Sequence, residues 1–126
     1  MKNIEMCPCC SGLNYSECCQ PIHQGEQATN AEKLMRSRYT AYALCLPDYL
    51  IETTHPSKRK SLDKAEIIEW SNDNQWTKLE ILKASTSMVE FKAYFKDQAG
   101  TQHIHHELST FSLDKGKWYY VKGSFY

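Results

Sequence analysis

Residues 72–95 read NDNQWTKLEILKASTSMVEFKAYF, and the rhythm of the chain changes inside this stretch. Before the polar turn Asn72-Asp73-Asn74 the apolar residues recur with helical spacing. After it they alternate, with Leu79 and Ile81 set among charged neighbours and then Val89, Phe91, Ala93 and Phe95 at every second position. Strict alternation marks strands with one face buried. Asp97-Gln98-Ala99-Gly100 is a turn, a third strand is expected from about Gln102 to Leu113, and Asp114-Lys115-Gly116 is a hairpin turn with glycine available for the left-handed position. Trp118-Tyr119-Tyr120-Val121 forms the last strand.

Helices are expected upstream. Thr29-x-x-Glu32 has the form of a capping box, and Leu34, Met35, Tyr42 and Cys45 then follow at helical spacing until Pro47. Cys45 reads as a core residue. A short second helix is expected over Asp48 to Thr54, broken by His55-Pro56. A third is expected over Leu62 to Ser71, with Ser61 as cap and Ala65, Ile68 and Trp70 as its apolar side. Helices first and antiparallel strands second define an α+β domain, with a curved four-stranded sheet packed on the first helix.

The chain has 126 residues, a length suited to one domain with a small appendage. Fifteen basic side chains balance fifteen acidic ones, which disfavours nucleic-acid binding, since that is driven by phosphate neutralisation. The one basic run, Lys58-Arg59-Lys60, reads as a solvated loop. No apolar stretch is long enough to span a membrane, and Met1 to Glu5 lack an apolar signal core. A cytosolic protein is expected, and in that compartment clustered cysteines more often bind metal than pair.

Five of the six cysteines lie between residues 7 and 19. Their spacing, Cys7-x-Cys9 and then Cys18-Cys19 after eight residues, suits one tetrahedral zinc ion with no position left open for a substrate. Metal relieves repulsion between neighbouring thiolates and supplies folding energy that so short a segment lacks. Disulfide or redox use and an iron–sulfur cluster are the competing readings. The segment reads as an irregular knuckle, followed by a linker over residues 20 to 28. As a semi-independent unit, it should lose order on chelation while residues 29 to 126 stay folded. Residues 1 to 20 carry Lys2 as their one basic side chain, against Glu5 and Glu17.

Cys7-Pro8-Cys9-x-Ser11-Gly12, Tyr15 and Cys18-Cys19 resemble the SEC-C motif, named for the C-terminal zinc tail of the SecA translocation ATPase. The resemblance implies zinc ligands at Cys7, Cys9, Cys18 and Cys19. The motif usually has glycine where this chain has Cys10, which makes Cys10 a competing ligand or a spare thiol. Leu34-Met35-Arg36-Ser37-Arg38-Tyr39-x-Ala41-Tyr42, Asp48-Tyr49-Leu50, Thr54-x-Pro56, His106-Glu107 and Trp118 to Val121 are similar to the YchJ-like family of small bacterial proteins. That resemblance implies a SEC-C-like motif over residues 1–24 and a cystatin-like cone, of the nuclear transport factor 2 (NTF2) type, over residues 25–126. The family has no established activity.

A cone can hold a pocket, and Arg36, Arg38, Tyr39, His55, His106 and Glu107 are its candidate residues. Arg38 falls in the apolar stripe of the first helix and needs a carboxylate partner, for which Glu107 is expected. His103 and His105 share one strand face and His106 the other, so the three do not make a metal cluster. His106 beside Glu107 is a candidate general base. No catalytic set emerges. The expected function is that of a non-enzymatic zinc-binding protein that contacts another protein through the knuckle, by analogy with the SecA tail. The alternative is a small-molecule binder or an isomerase- or hydrolase-like enzyme using the cone.

Overall fold

The computed structural model describes residues 6–126, so the expectation made for Met1 to Glu5 lies outside the described residues. From the N-terminus come a 3-10 turn (Tyr15–Glu17) and the helices α1 (Cys19–His23), α2 (Ala31–Leu44) and α3 (Pro47–Glu52). A second 3-10 segment (Pro56–Ser61) and α4 (Lys64–Asp73) follow, then the strands β1 (Gln75–Ala84), β2 (Met88–Lys96), β3 (Gln102–Asp114) and β4 (Lys117–Phe125). Among the described residues the strands form one antiparallel sheet in the order β1-β2-β3-β4.

The cap of α2 lies one residue beyond the expected capping box. Asn30, not Thr29, accepts the hydrogen bond from Lys33 N at 2.8 Å. Asparagine caps at least as well as threonine. The later start leaves Glu32 free to bond Arg36 Nε at 3.0 Å. Leu44 ends the helix and Cys45 takes the left-handed capping position (φ 58°), so Cys45 is half-buried at a helix end, not a core residue. Pro47 opens α3, where its missing N–H costs nothing. Asp63, not Ser61, caps α4 through Ala65 N. On α4, Ala65 is exposed and Ile67 and Ile68 are half-buried. The Lys58 to Lys60 run is a 3-10 segment, and Arg59 bonds the carbonyls of Thr54 and Glu52.

The segment expected as a linker contains α1, which packs on α2. His23 Nε2 lies 2.8 Å from the Ser37 carbonyl. Since a carbonyl only accepts, Nε2 carries the proton and Nδ1 accepts from the Tyr15 hydroxyl at 2.8 Å. Burial pushes the His23 imidazole below its ordinary pKa.

Alternation holds in β2: Val89, Phe91, Ala93 and Phe95 are buried, the first three in one cluster with Leu34, Met35 and Tyr39 of α2, and Phe95 against Trp70 of α4 and Trp76. Register shifts between Trp76 and Lys78, between Ile81 and Lys83, and between Thr110 and Phe111 curl the sheet. The end of α3 is stitched to β4 by reciprocal bonds of 2.8 Å, His55 N to Tyr120 O and Tyr120 N to Thr53 O. This seam closes one side of the cone. Cys7, Cys9 and Cys19 share one core cluster with Leu34, Met35, Tyr39, Leu79 and Phe91. That shared core departs from the expectation of a semi-independent knuckle: a segment so short buries its sulfurs only by borrowing the apolar face of α2.

Candidate metal centre and cone cavity

Cys7, Cys9, Cys18 and Cys19 bring their sulfur atoms within 4.8 Å of one another. Cys9 Sγ lies 3.6 Å from Cys18 Sγ, and Cys18 Sγ lies 3.9 Å from Cys19 Sγ. All six cysteines are free. The chain reaches this geometry by folding back on itself, with Cys7 N bonded to Leu13 O at 2.9 Å and a bridge between Met6 and Asn14. Gly12 (φ 89°) supplies one left-handed residue of this turn and Cys10 (φ 65°) another. A glycine at position 10 would adopt that angle without strain. Cys10 Sγ is turned away from the cluster and sits 3.5 Å from Leu79 N.

A second layer surrounds the sulfurs. Thr40 Oγ1 donates to Cys19 Sγ at 3.4 Å and lies 3.7 Å from Cys7 Sγ. Ser11 Oγ lies 3.2 Å from Cys18 Sγ. Arg36 Nη1 donates to the Cys9 carbonyl at 2.7 Å, bringing a fixed positive charge to the cluster. Hydrogen bonds from Cys19 and then Cys7 hold the Cys9 thiol far below its ordinary range. The converse bonds, with burial, push Cys19 far above it. Four sulfurs this close do not all ionise without a cation among them. They form a donor set that could hold a metal ion.

The second feature is a cavity of about 310 Å³ between α2, α4 and the concave sheet face. Arg38, Tyr39, His105 and Glu107 line it, with an aromatic wall that includes Tyr42, Trp76 and Phe91. Arg38 and Glu107 do not pair directly. Arg38 Nη1 donates to Leu50 O at 3.0 Å and to the hydroxyls of Thr53 and Thr54 at 2.7 and 3.3 Å. Its guanidinium lies 4.5 Å from the centre of the Tyr120 ring. Glu107 instead accepts from His105 Nε2 (2.7 Å), Ser109 Oγ (2.6 Å) and Tyr120 Oη (3.0 Å). Tyr120 therefore stands between the charges, its face to Arg38 and its hydroxyl to Glu107. Burial alone would raise the Glu107 carboxyl, but these donors, His105 first, hold it below the usual carboxylate range. Burial lowers the Arg38 guanidinium from its ordinary value.

Of the other residues named from sequence, Arg36 is at the metal cluster. His55 caps the 3-10 segment through Ser57 N and lies 3.5 Å from Asp114. His106 is on the outer sheet face, 2.8 Å from Glu90 and stacked on Tyr126. Neither histidine lines the cavity. The histidine that does is His105, and the signal was available, because residues 105 and 107 share a strand face whereas 106 and 107 do not. Gly123 was also unforeseen. A Cβ there would fall on the Glu107 carboxylate, so the glycine makes room for it.

This architecture is matched by known proteins. Residues 30–123 match the family described as YchJ, middle NTF2-like domain, and residues 5–21 match the SEC-C motif. The chain belongs to the YchJ family. A UPF0225 protein of Actinobacillus succinogenes is 44% identical, the match covering 92% of this chain and 79% of that one. A UPF0225 protein of Geobacter sulfurreducens is 40% identical over 94% of this chain and 78% of the relative. The crystal structure of a SEC-C motif protein from Psychrobacter arcticus superposes with a TM-score of 0.82 at 38% identity, covering 94% of this chain and 81% of that one. The solution structure of a SEC-C motif protein from Rhodopseudomonas palustris gives 0.84 at 36% identity, covering 98% of each. No helix among the described residues is long and apolar enough to cross a membrane.

Proposed function

We propose that the cysteine cluster holds one structural zinc ion and that the protein works by contacting another protein beside it. The carrying observation is the sulfur geometry. Zinc–thiolate bonds of about 2.3 Å at tetrahedral angles place sulfurs about 3.8 Å apart; Cys18 Sγ lies 3.6 Å from Cys9 Sγ and 3.9 Å from Cys19 Sγ, and all four sulfurs lie within 4.8 Å of one another. Four thiolates fill the coordination sphere and leave no position for a reacting group. The partner reading rests on analogy with the SecA tail and on the exposure of Met6 and Leu13 at the rim of the knuckle, 56% and 50% respectively. Such apolar groups favour a protein surface over nucleic acid.

Elemental analysis of protein purified under reducing conditions should give close to one zinc per chain. Iron, or no metal, would exclude the zinc reading. Affinity capture should then compare the wild type with Leu13→Asp. A partner retained by the first and lost by the second, at equal zinc content, supports docking on the knuckle. Identical captured proteins remove that reading and leave the zinc assignment intact.

A further inference from the structure

The polar groups of the cone cavity are unequally committed. Arg38 is consumed by a carbonyl, two threonines and a tyrosine face, and Glu107 by three donors. The two buried charges oppose each other, so the cavity offers no net charge to a ligand. Glu107, held ionised by its donors, can only accept, so the proton between it and His105 sits on Nε2. Nδ1 is thereby left to a ligand, as an acceptor whenever the ring is uncharged, and no described residue is bonded to it. The Tyr42 hydroxyl is likewise without a partner among the described residues. The surrounding wall is aromatic: Tyr39, Trp70, Trp76, Phe91 and Phe125. Trp70, Trp76 and Phe95 pack edge to face or tilted, with centroids 4.9 to 5.8 Å apart, which gives the cavity a rigid side.

We infer that this cavity is a binding site for a small, uncharged one- or two-ring compound bearing a hydroxyl, whose proton is accepted by His105 Nδ1. The volume, about 310 Å³, lies at the small end of the range for small-molecule sites, which suits a ligand of one or two rings. Aromatic walls favour a flat ring. Glu107 acts as a positioning residue: it fixes the His105 tautomer, and Gly123 leaves the room that Glu107 needs. The site is separate from the metal centre and does not depend on what the metal is.

The test uses the metal-loaded full chain and three probes: 2-naphthol, its methyl ether and 2-naphthoate. Indole and amide resonances are followed by NMR. 2-Naphthol should shift the Trp70 and Trp76 indoles saturably and leave Trp118, which lines a different cavity, unmoved. It should bind about tenfold more tightly than the ether, the value of one well-made hydrogen bond, and the anionic naphthoate more weakly still. His105→Phe should bring 2-naphthol down to the affinity of the ether without weakening the ether. Ala93→Phe should block both. The inference is overturned if no probe saturates, if shifts centre on Trp118, if naphthol and its ether bind alike to the wild type, or if His105→Phe leaves their ratio unchanged. The wild-type comparison needs no variant, so a misfolded variant does not protect the idea.

Discussion

At residue 10 a single backbone angle separates a ligand from a bystander. Cys10 sits between Cys9 and Ser11 in sequence, yet its positive φ turns its thiol away from the cluster and toward β1. Replacing Cys18 by Ser should therefore abolish metal binding, while Cys10→Ser should keep the full metal content. Loss of metal from the Cys10 variant would mean the ligand set is wrong. Glu107 gives a second prediction. Its folded pKa lies below the usual value, so the unfolded chain binds its proton more readily. Its contribution to stability is thus complete above the unfolded value of about 4.3 and is lost as pH falls through the lower folded value. Denaturant titrations should show that acid slope in the wild type and a shallower one in Glu107→Gln, at matched metal content. Gly123→Ala should cost roughly 2–3 kcal/mol, because a Cβ there must displace the carboxylate from its three donors. A variant as stable as the wild type would show that Glu107 has room to spare.

Among the elements, α2 carries the most. One part of its surface supplies Thr40 and Arg36 to the cysteine cluster and another supplies Arg38 and Tyr39 to the cavity. Its N-cap is a separable contribution: Asn30→Ala should lower stability by about 1 kcal/mol without changing metal content, as measured by chemical denaturation. Arg38→Ala should be costlier, roughly 2–4 kcal/mol, since it removes the donor shared by the Leu50 carbonyl and the Thr53 and Thr54 hydroxyls, opens a void and takes the guanidinium from the Tyr120 face. The direct ion pair with Glu107 expected from the sequence is not what the structure shows. The cost arises instead at the α3 terminus.

For the whole molecule, the shared core makes metal and fold one problem. Cys9 and Cys19 are almost fully buried against the same residues that anchor α2 on the sheet. Without a cation among them, the thiols are crowded inside that core. Chelation should lower the thermal midpoint of the entire chain by more than about 10 °C and weaken the near-UV signal of Tyr39 and Trp76 as well as that of the knuckle. If instead the near-UV spectrum and midpoint of the larger part are unchanged, the knuckle is independent after all.

The sequence by itself determined the order of the longer helices and the strands, the buried face of β2 and the ligand spacing, because these depend on local periodicity and on residue types a few positions apart. Period-two alternation placed Phe91 and Ala93 inward, and the two cysteine pairs predicted one cluster. It did not determine which polar side chains meet across the cone. Arg38 and Glu107 lie 69 positions apart, and whether they touch depends on where β4 inserts Tyr120. That placement comes from the seam between α3 and β4 and from the bulges that curl the sheet, both non-local. For the same reason the short segment after Cys19 reads as a linker from its Pro21 and Gly25. Only packing on α2, with His23 bonded to Ser37, makes it a helix, since so short a helix gains its stability from tertiary contacts and not from propensity.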